Sequence, residues 1–433
     1  RDVINYFEKI MNFTPNLDTP KSNDIIPNKL YSFTTYNFFN NYLNDWSQSD
    51  FLSNSKKINN KLHTYKENEL TKIQSSKKSK INLGFISSDL RSKHSVGYFL
   101  RSLLTHHDKD KYNIFLYNNH VQEDETTREF SSKVFKSIQI GKLKDVEVIN
   151  LIRKDLIDIM IDLNGYSSDH RLVLLKNRLA PIQISWCGYT NTTGLNEMDY
   201  LIIDQNLVKK NEENLYSEKL IYLSDIWNCH SGYDFKRDFN PTPLKKNRHI
   251  TFGSFNNFRK INDDVIEVWS EILKKIKGSK LLLKTSFPIS KEIYKKKFNK
   301  YGVLDSIIFL PFKKDFDNHL DIYKQIDIAL DTFPWNGVTT SFEAIWMGVP
   351  VITMKGYNFN SRCGESINRN ARLENLIAKN KKDYIDKTIL LAHNEDELEK
   401  IRKDIYENAL NTPLFDQKKF CNQFFTSLEQ IYN

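Results

Sequence analysis

From Ile81 onward, short apolar runs alternate with amphipathic segments. INLGFIS, YNIFLYN, LIDIMIDL, PIQISWC and MDYLIID are read as strands, and VGYFLRSLL, VEVINLIRK and RLVLLKNRL between them as helices. Runs apolar on both faces suit a buried parallel sheet, so this stretch is expected to be an α/β unit. After the turn-rich YDFKRDFNPTPLKKNR the alternation restarts with ITFGSF, DDVIEVWSEILKKI, KLLLKT, KEIYKKKFNKY, SIIFLPF, HLDIYKQ, IDIALDT, TTSFEAIWMG and VPVITM. EDELEKIRKDIYENAL and QKKFCNQFFTSLEQIY then follow as two helical patterns with no strand between them.

The expected organisation has four parts. Residues 1–80 form an aromatic-rich helical lead-in and linker, and 81–240 a first Rossmann-like domain. Residues 241–395 form a second Rossmann-like domain, and 396–433 are helices packing back on the two domains. Two such halves facing a cleft would bind ligand at the carboxyl ends of parallel strands. The chain opens on Arg1 rather than Met, so it is expected to be a piece of a longer one.

Composition narrows the classes. With 433 residues, 39% hydrophobic and 27% charged, the chain can build a real core and is neither fibrous nor disordered. A net charge of +9 permits an anionic ligand. The lysines, however, are interspersed with acids as on a solvated face, so no nucleic-acid partner is expected. Cys187, Cys229, Cys363 and Cys421 are far apart and lack metal-ligand spacing, which favours a reducing, cytoplasmic setting over a disulfide framework or zinc site. No apolar run approaches membrane-spanning length, so no membrane partner is expected.

The densest candidate chemistry lies in IDIALDTFPWNGVTTSFEAIWMGVP, where a strand, a Pro-Gly loop and a helix starting near Val338 follow one another. The amides of such a helix start, the Thr339 and Thr340 hydroxyls and the close approach allowed by Gly337 make an anion site suited to a diphosphate. Glu343, one turn deeper, is placed to accept from the hydroxyls of a ribose. Lys260, past the strand ITFGSF, could stabilise a leaving phosphate. His94 follows the strand INLGFIS in the loop SSDLRSKH, a common location for a general base, with Ser95 expected to cap the next helix. His170 and His319 are weaker candidates; His319 could stack on a nucleotide base.

No G-x-G-x-x-G or P-loop pattern occurs, which argues against a dinucleotide oxidoreductase or P-loop NTPase. The triplets Asp108-Lys109-Asp110 and Asp315-Phe316-Asp317 sit in polar loops and are read as solvated, so no metal or other cofactor is expected.

Taken together, LGFISSDLRSKHSVGYFL, IDLNGYSSDHRL, LAPIQISWCGY with TTGLNEMDYLIID, SFNNFRKI, the 319–353 stretch, NSR and TPLFDQKKF resemble the O-linked N-acetylglucosamine transferase and SPINDLY-like family, collinearly from about Ile81 to the C-terminus. The resemblance implies a GT-B fold and metal-independent, inverting transfer of a sugar from a nucleotide donor to Ser or Thr of proteins. It also implies tetratricopeptide repeats upstream. His94 matches the family's essential His by the donor sugar, Lys260 its lysine on the diphosphate, and His319 a His near the base. Thr339 and Thr340 match the phosphate threonines, and Glu343 the acidic ribose ligand.

The departures bear on the donor. Asn257 stands where the animal enzymes have Gln, and Val338 and Trp335 replace their His and Cys beside N-acetylglucosamine. Thr190-Asn191 replaces a Pro-Gly turn. UDP-N-acetylglucosamine is the first expectation. GDP-fucose, the donor of enzymes resembled by the SPINDLY branch, is the alternative, and a non-catalytic protein-binding scaffold is the rival from another class.

Overall fold

The computed structural model describes residues 28–73, 79–234, 237–285, 288–311 and 320–432. The described residues fall into two compact units, 28–41 with 45–231 and 417–432, and 42–44 with 232–416.

In the first unit, β1 (Ile81–Ser87), β2 (Tyr112–Asn118), β3 (Lys136–Gln139), β4 (Ile159–Asp162), β5 (Ile182–Ser185), β6 (Tyr200–Asp204) and β7 (Lys219–Leu223) form one parallel sheet in the order β3-β2-β1-β4-β5-β6-β7. β1 lies centrally, with Leu83 opposite Ile114 on one side and Ile159 on the other. Every residue of β1 after Ile81 is buried, because helices cover both faces of the sheet. β3 and β7 escaped the sequence reading: KSIQ and KLIYL are short, partly exposed edge strands.

The lead-in helices α1 (Asn28–Asn40) and α2 (Gln48–Asn59) belong to this unit rather than standing apart from it. Asn37 Nδ2 donates to Ser55 Oγ at 3.0 Å, and Gln48 Nε2 to the side chain of Asn191 at 2.8 Å. A Cβ on Gly194 would come within 2.4 Å of Ser55, so that glycine lets α2 lie directly on the chain. The Thr190-Asn191 departure is thereby accounted for: Asn191 is buried and spent on the lead-in helix.

In the second unit, β8 (Thr251–Ser254), β9 (Lys280–Thr285), β10 (Ile307–Pro311), β11 (Ile328–Leu330), β12 (Val351–Met354) and β13 (Ile377–Ala378) give the parallel order β10-β9-β8-β11-β12-β13. Ile328 pairs with Phe252 and Ala329 with Val351. The labelled helices of this unit are α3 (Asp263–Lys275), α4 (Thr339–Trp346), α5 (Phe359–Asn370), α6 (Lys381–Ala392) and α7 (Glu395–Asn408). α3 shows why the pattern was legible: Asn262 caps it through Val265 N at 3.0 Å, and Val265, Ile266, Trp269, Ile272 and Leu273 bury one stripe.

The two last helical segments part company. α7 stays with the second unit because the fully buried Arg402 donates to the carbonyls of Ile326, Asp327 and Asn240 at 2.9–3.1 Å. Helix Gln417–Tyr432 instead joins the first unit, where Phe424 meets Trp186 at 4.8 Å between ring centroids and Phe425 meets Tyr112 at 4.4 Å. The segmentation expected at 395–396 and at 80 therefore differs from the compact units, because tertiary contacts, not chain order, assign each helix. Both sheets are Rossmann-like, and the chain is α/β.

Candidate active site

In each sheet the strand order reverses once, between β1 and β4 and between β8 and β11. Loops leaving the carboxyl ends of those strands diverge there and open a crevice. The sequence candidates fall on these loops.

In the second unit, β8 runs into Phe255, Asn256 and Asn257 and then a short 3-10 turn, Phe258–Lys260. Asn257 is exposed and caps that turn by accepting from Arg259 N at 3.1 Å. This orients Lys260, whose ammonium donates to the Asn336 carbonyl at 2.6 Å and lies 4.8 Å from the Trp335 ring centroid. Burial pulls its pKa down to about 8, against the opposing pull of the Asp331 carboxylate.

After β11 the chain turns through Asp331–Gly337. Thr332 Oγ1 donates to the Trp335 carbonyl at 2.8 Å, and Asn336 Nδ2 to the Thr332 carbonyl at 2.9 Å. A Cβ on Gly337 would lie 2.5 Å from Thr340 Oγ1 and 2.8 Å from Asn256 Oδ1, so only glycine fits.

α4 begins at Thr339 with Val338 at the N-cap, and the Val338 carbonyl already receives Ser341 and Phe342 N–H at 2.9 and 3.1 Å. The apolar Val338 supplies no side-chain cap. The amides of Thr339 and Thr340, in the first helical turn, have no carbonyl one turn before them and suit an anion. The Thr340 hydroxyl donates to Asn256 Oδ1 at 2.9 Å. Glu343 is 4% exposed and accepts from the Tyr323 hydroxyl at 2.7 Å; the same hydroxyl donates to the Thr340 carbonyl at 3.1 Å. Asn257, Lys260, Gly337, Val338, Thr339, Thr340 and Glu343 are thus gathered at one switch point. His319 lies outside the described residues, as does the Asp315–Asp317 triplet.

In the first unit, His94 occupies the N-cap of helix Ser95–His106 itself, and Ser95 is its first residue rather than its cap. His94 Nε2 is 3.3 Å from Asp89 Oδ1, and Asn164 Nδ2 donates to Asp89 Oδ2 at 3.0 Å. Burial, assisted by Arg91, pushes the imidazole down to about 4, so it is neutral at physiological pH. Burial pushes the Asp89 carboxyl up to about 6. With the ring proton on Nε2, facing the carboxylate, the Nδ1 lone pair is the acceptor; Nδ1 is buried and has no hydrogen-bond partner. His170, on the loop after β4, is buried against Tyr166 and likewise neutral, pushed down to about 4.

Sequence reasoning missed Asp331, Asn256, Tyr323, Asp89 and Asn164. Asp331 and Asp89 carried a usable signal, an acid within two residues of the carboxyl end of an apolar strand; Tyr323 carried none. Among the described residues, no group of three or more His, Cys, Asp or Glu has metal-holding geometry, and no helix is long and apolar enough to cross a membrane.

Paired Rossmann-like units, with an anion-ready helix start beside a fixed ammonium at one switch point, define the glycosyltransferases of the GT-B class. Within that class, the chain belongs to glycosyl transferase family 41, matching it over residues 55–234 and 244–424. It is 33% identical over 361 residues to the probable UDP-N-acetylglucosamine–peptide N-acetylglucosaminyltransferase SPINDLY of Solanum lycopersicum, covering 81% of this chain and 38% of that protein. It is 27% identical over 372 residues to the probable UDP-N-acetylglucosamine–peptide N-acetylglucosaminyltransferase SEC of Arabidopsis thaliana, covering 82% of this chain and 37% of that one. The chain therefore spans less than two fifths of these relatives' length. A solved O-GlcNAc transferase mutant of Thermobaculum terrenum superposes with TM-score 0.89 at 25% identity, over 99% of this chain and 80% of that one. Sucrose-phosphate synthase of Thermosynechococcus elongatus shares the fold alone, with TM-score 0.54 at 10% identity over 82% of this chain and 99% of that one.

Proposed function

We propose that the chain is the catalytic region of an inverting, metal-independent glycosyltransferase that moves N-acetylglucosamine from UDP-N-acetylglucosamine to Ser or Thr hydroxyls of proteins. The observation that carries this reading is the Lys260 ammonium anchored on the Asn336 carbonyl, on the loop that feeds the open helix start at Thr339. As the sugar C1–O bond to the diphosphate breaks, negative charge grows on the leaving group. A preset ammonium and helix amides stabilise that charge more in the transition state than in the ground state. Glu343 accepts from the ribose hydroxyls. His94, neutral at working pH, takes the proton of the acceptor hydroxyl directly or through water as that oxygen bonds to C1 from the opposite face. The printed activities of the plant relatives support the donor and the peptide acceptor. Four buried cysteines, none of them in a disulfide, fit a cytoplasmic setting.

GDP-fucose is the second reading, favoured by the apolar Val338 and Trp335 where the animal enzymes have His and Cys. Thermal shift against UDP- and GDP-sugars decides between them: a site filled at a hundred times Kd adds about 2.7 kcal/mol of stability. Radiolabelled transfer to a protein acceptor, with and without EDTA, then tests the reaction. Stabilisation by neither nucleotide class at millimolar concentration would leave the scaffold reading standing.

A further inference from the structure

Asp331 stands at the carboxyl end of β11, 2% exposed. The loop after β11 is wound around its carboxylate. Oδ1 accepts from the amides of Thr332 at 2.8 Å and Gly337 at 2.6 Å, and Oδ2 from the Thr353 hydroxyl at 2.8 Å. Asn256 Nδ2 approaches Oδ1 at 3.4 Å, and Asn256 in turn receives the Thr340 hydroxyl. Two glycines make room for the carboxylate: a Cβ on Gly337 would come within 3.0 Å of Oδ1, and one on Gly364 within 2.7 Å of Oδ2.

Gly337 immediately precedes the N-cap of α4, so its amide bond to Asp331 sets where the helix start lies. The chain between these two residues also supplies the Asn336 carbonyl that holds Lys260. A buried carboxylate is costly unless hydrogen-bonded, and three donors converge on this one. Its charge faces Lys260 from β11. Cys363 on α5 also acts electrostatically on Lys260, and Tyr384 on α6, which donates to the Asp331 carbonyl at 2.9 Å, is the other titratable neighbour of Asp331.

We propose that Asp331 is a positioning residue for donor binding, holding the 332–337 loop and the start of α4 in the shape that receives a diphosphate while its negative charge supports the Lys260 ammonium. The inference rests on the nucleotide-sugar reading above. It goes beyond it by assigning a function to a residue behind the contact surface.

Calorimetric titration with UDP, and with GDP as second probe, tests it on the full chain between pH 6.5 and 9.5. Asp331→Ala removes the acceptor and is expected to weaken binding about 10- to 100-fold at neutral pH. Asp331→Asn keeps an acceptor for the two amides but loses the charge. It is expected to weaken neutral-pH binding only about threefold, yet to move the alkaline limb of the binding profile to lower pH, because Lys260 then loses its proton sooner. That limb should be absent in Lys260→Met and in the double variant.

A purely structural role would not move the limb, so an unshifted limb in Asp331→Asn overturns the proposal even if Asp331→Ala fails to fold. Unchanged affinity in a folded Asp331→Ala overturns it as well. Failure of the wild type to bind either nucleotide is a separate result: it removes the donor reading and this inference with it.

Discussion

Replacing Lys260 by Met removes a cation while keeping most of the side chain's volume. An ammonium about 4 Å from a developing unit charge, at an effective dielectric near 20, is worth roughly 4 kcal/mol. Allowing for solvent at a half-buried side chain, about 3–4 kcal/mol of transition-state stabilisation is at stake, or roughly 10²- to 10³-fold in kcat. The assay is single-turnover transfer from radiolabelled donor to a protein acceptor. Because burial holds the Lys260 pKa of the unliganded protein down to about 8, kcat/KM should fall above that pH, and the residual activity of Lys260→Met should lack this limb.

The same variant should be more stable than wild type. The folded pKa, about 8, lies below the ordinary lysine value of 10.5, so the unfolded chain holds an extra proton between those values. Wild-type stability therefore rises with pH across that window and is lowest, on this account, below pH 8. Removing the lysine relieves about 1–2 kcal/mol of burial cost after discounting for its partial exposure. A kcat within threefold of wild type, together with an unchanged alkaline limb, would refute the leaving-group role. An unchanged denaturation midpoint at pH 7 would refute the claim that the ammonium is held at a cost.

Three further outcomes are expected. Gly337→Ala forces a methyl against Thr340, Asn256 and Asp331, and should weaken UDP binding more than tenfold while costing about 1–3 kcal/mol of stability by chemical denaturation. His94→Ala should abolish transfer but leave UDP affinity, measured calorimetrically, within about threefold; the imidazole stays neutral until about pH 4, so a fall in wild-type kcat near pH 6 should follow the Asp89 carboxyl and be absent in Asp89→Asn. Gly188→Ala would place a Cβ 1.8 Å from the Leu163 carbonyl oxygen, and should cost more than about 3 kcal/mol or prevent soluble expression, a loss not rescued by added nucleotide.

Much of this protein was legible before any coordinate. Strands apolar on both faces announced parallel sheets, because β1, β4 and β11 lie between layers of helix and tolerate no polar face. Lys260, His94 and the 337–343 run were legible because a ligand in such a sheet must sit past a strand's carboxyl end. The local chemistry there, a glycine followed by a helix with open amides, is written in consecutive residues.

What escaped depended on residues distant in sequence. The Tyr323 hydroxyl meets Glu343 across 20 positions, and Thr353 meets Asp331 across 22. Helix Gln417–Tyr432 leaves its chain neighbours for the first unit. Sequence alone determined the periodicities and the backbone-permissive positions, since both are properties of a residue and its immediate neighbours. Only the tertiary structure decided which buried carboxylate the Gly337 amide turns around, and that His94 rather than Ser95 occupies the N-cap position of its helix. Pairing of buried polar groups is a condition on the whole packed interior, satisfied by whichever residues the fold brings together.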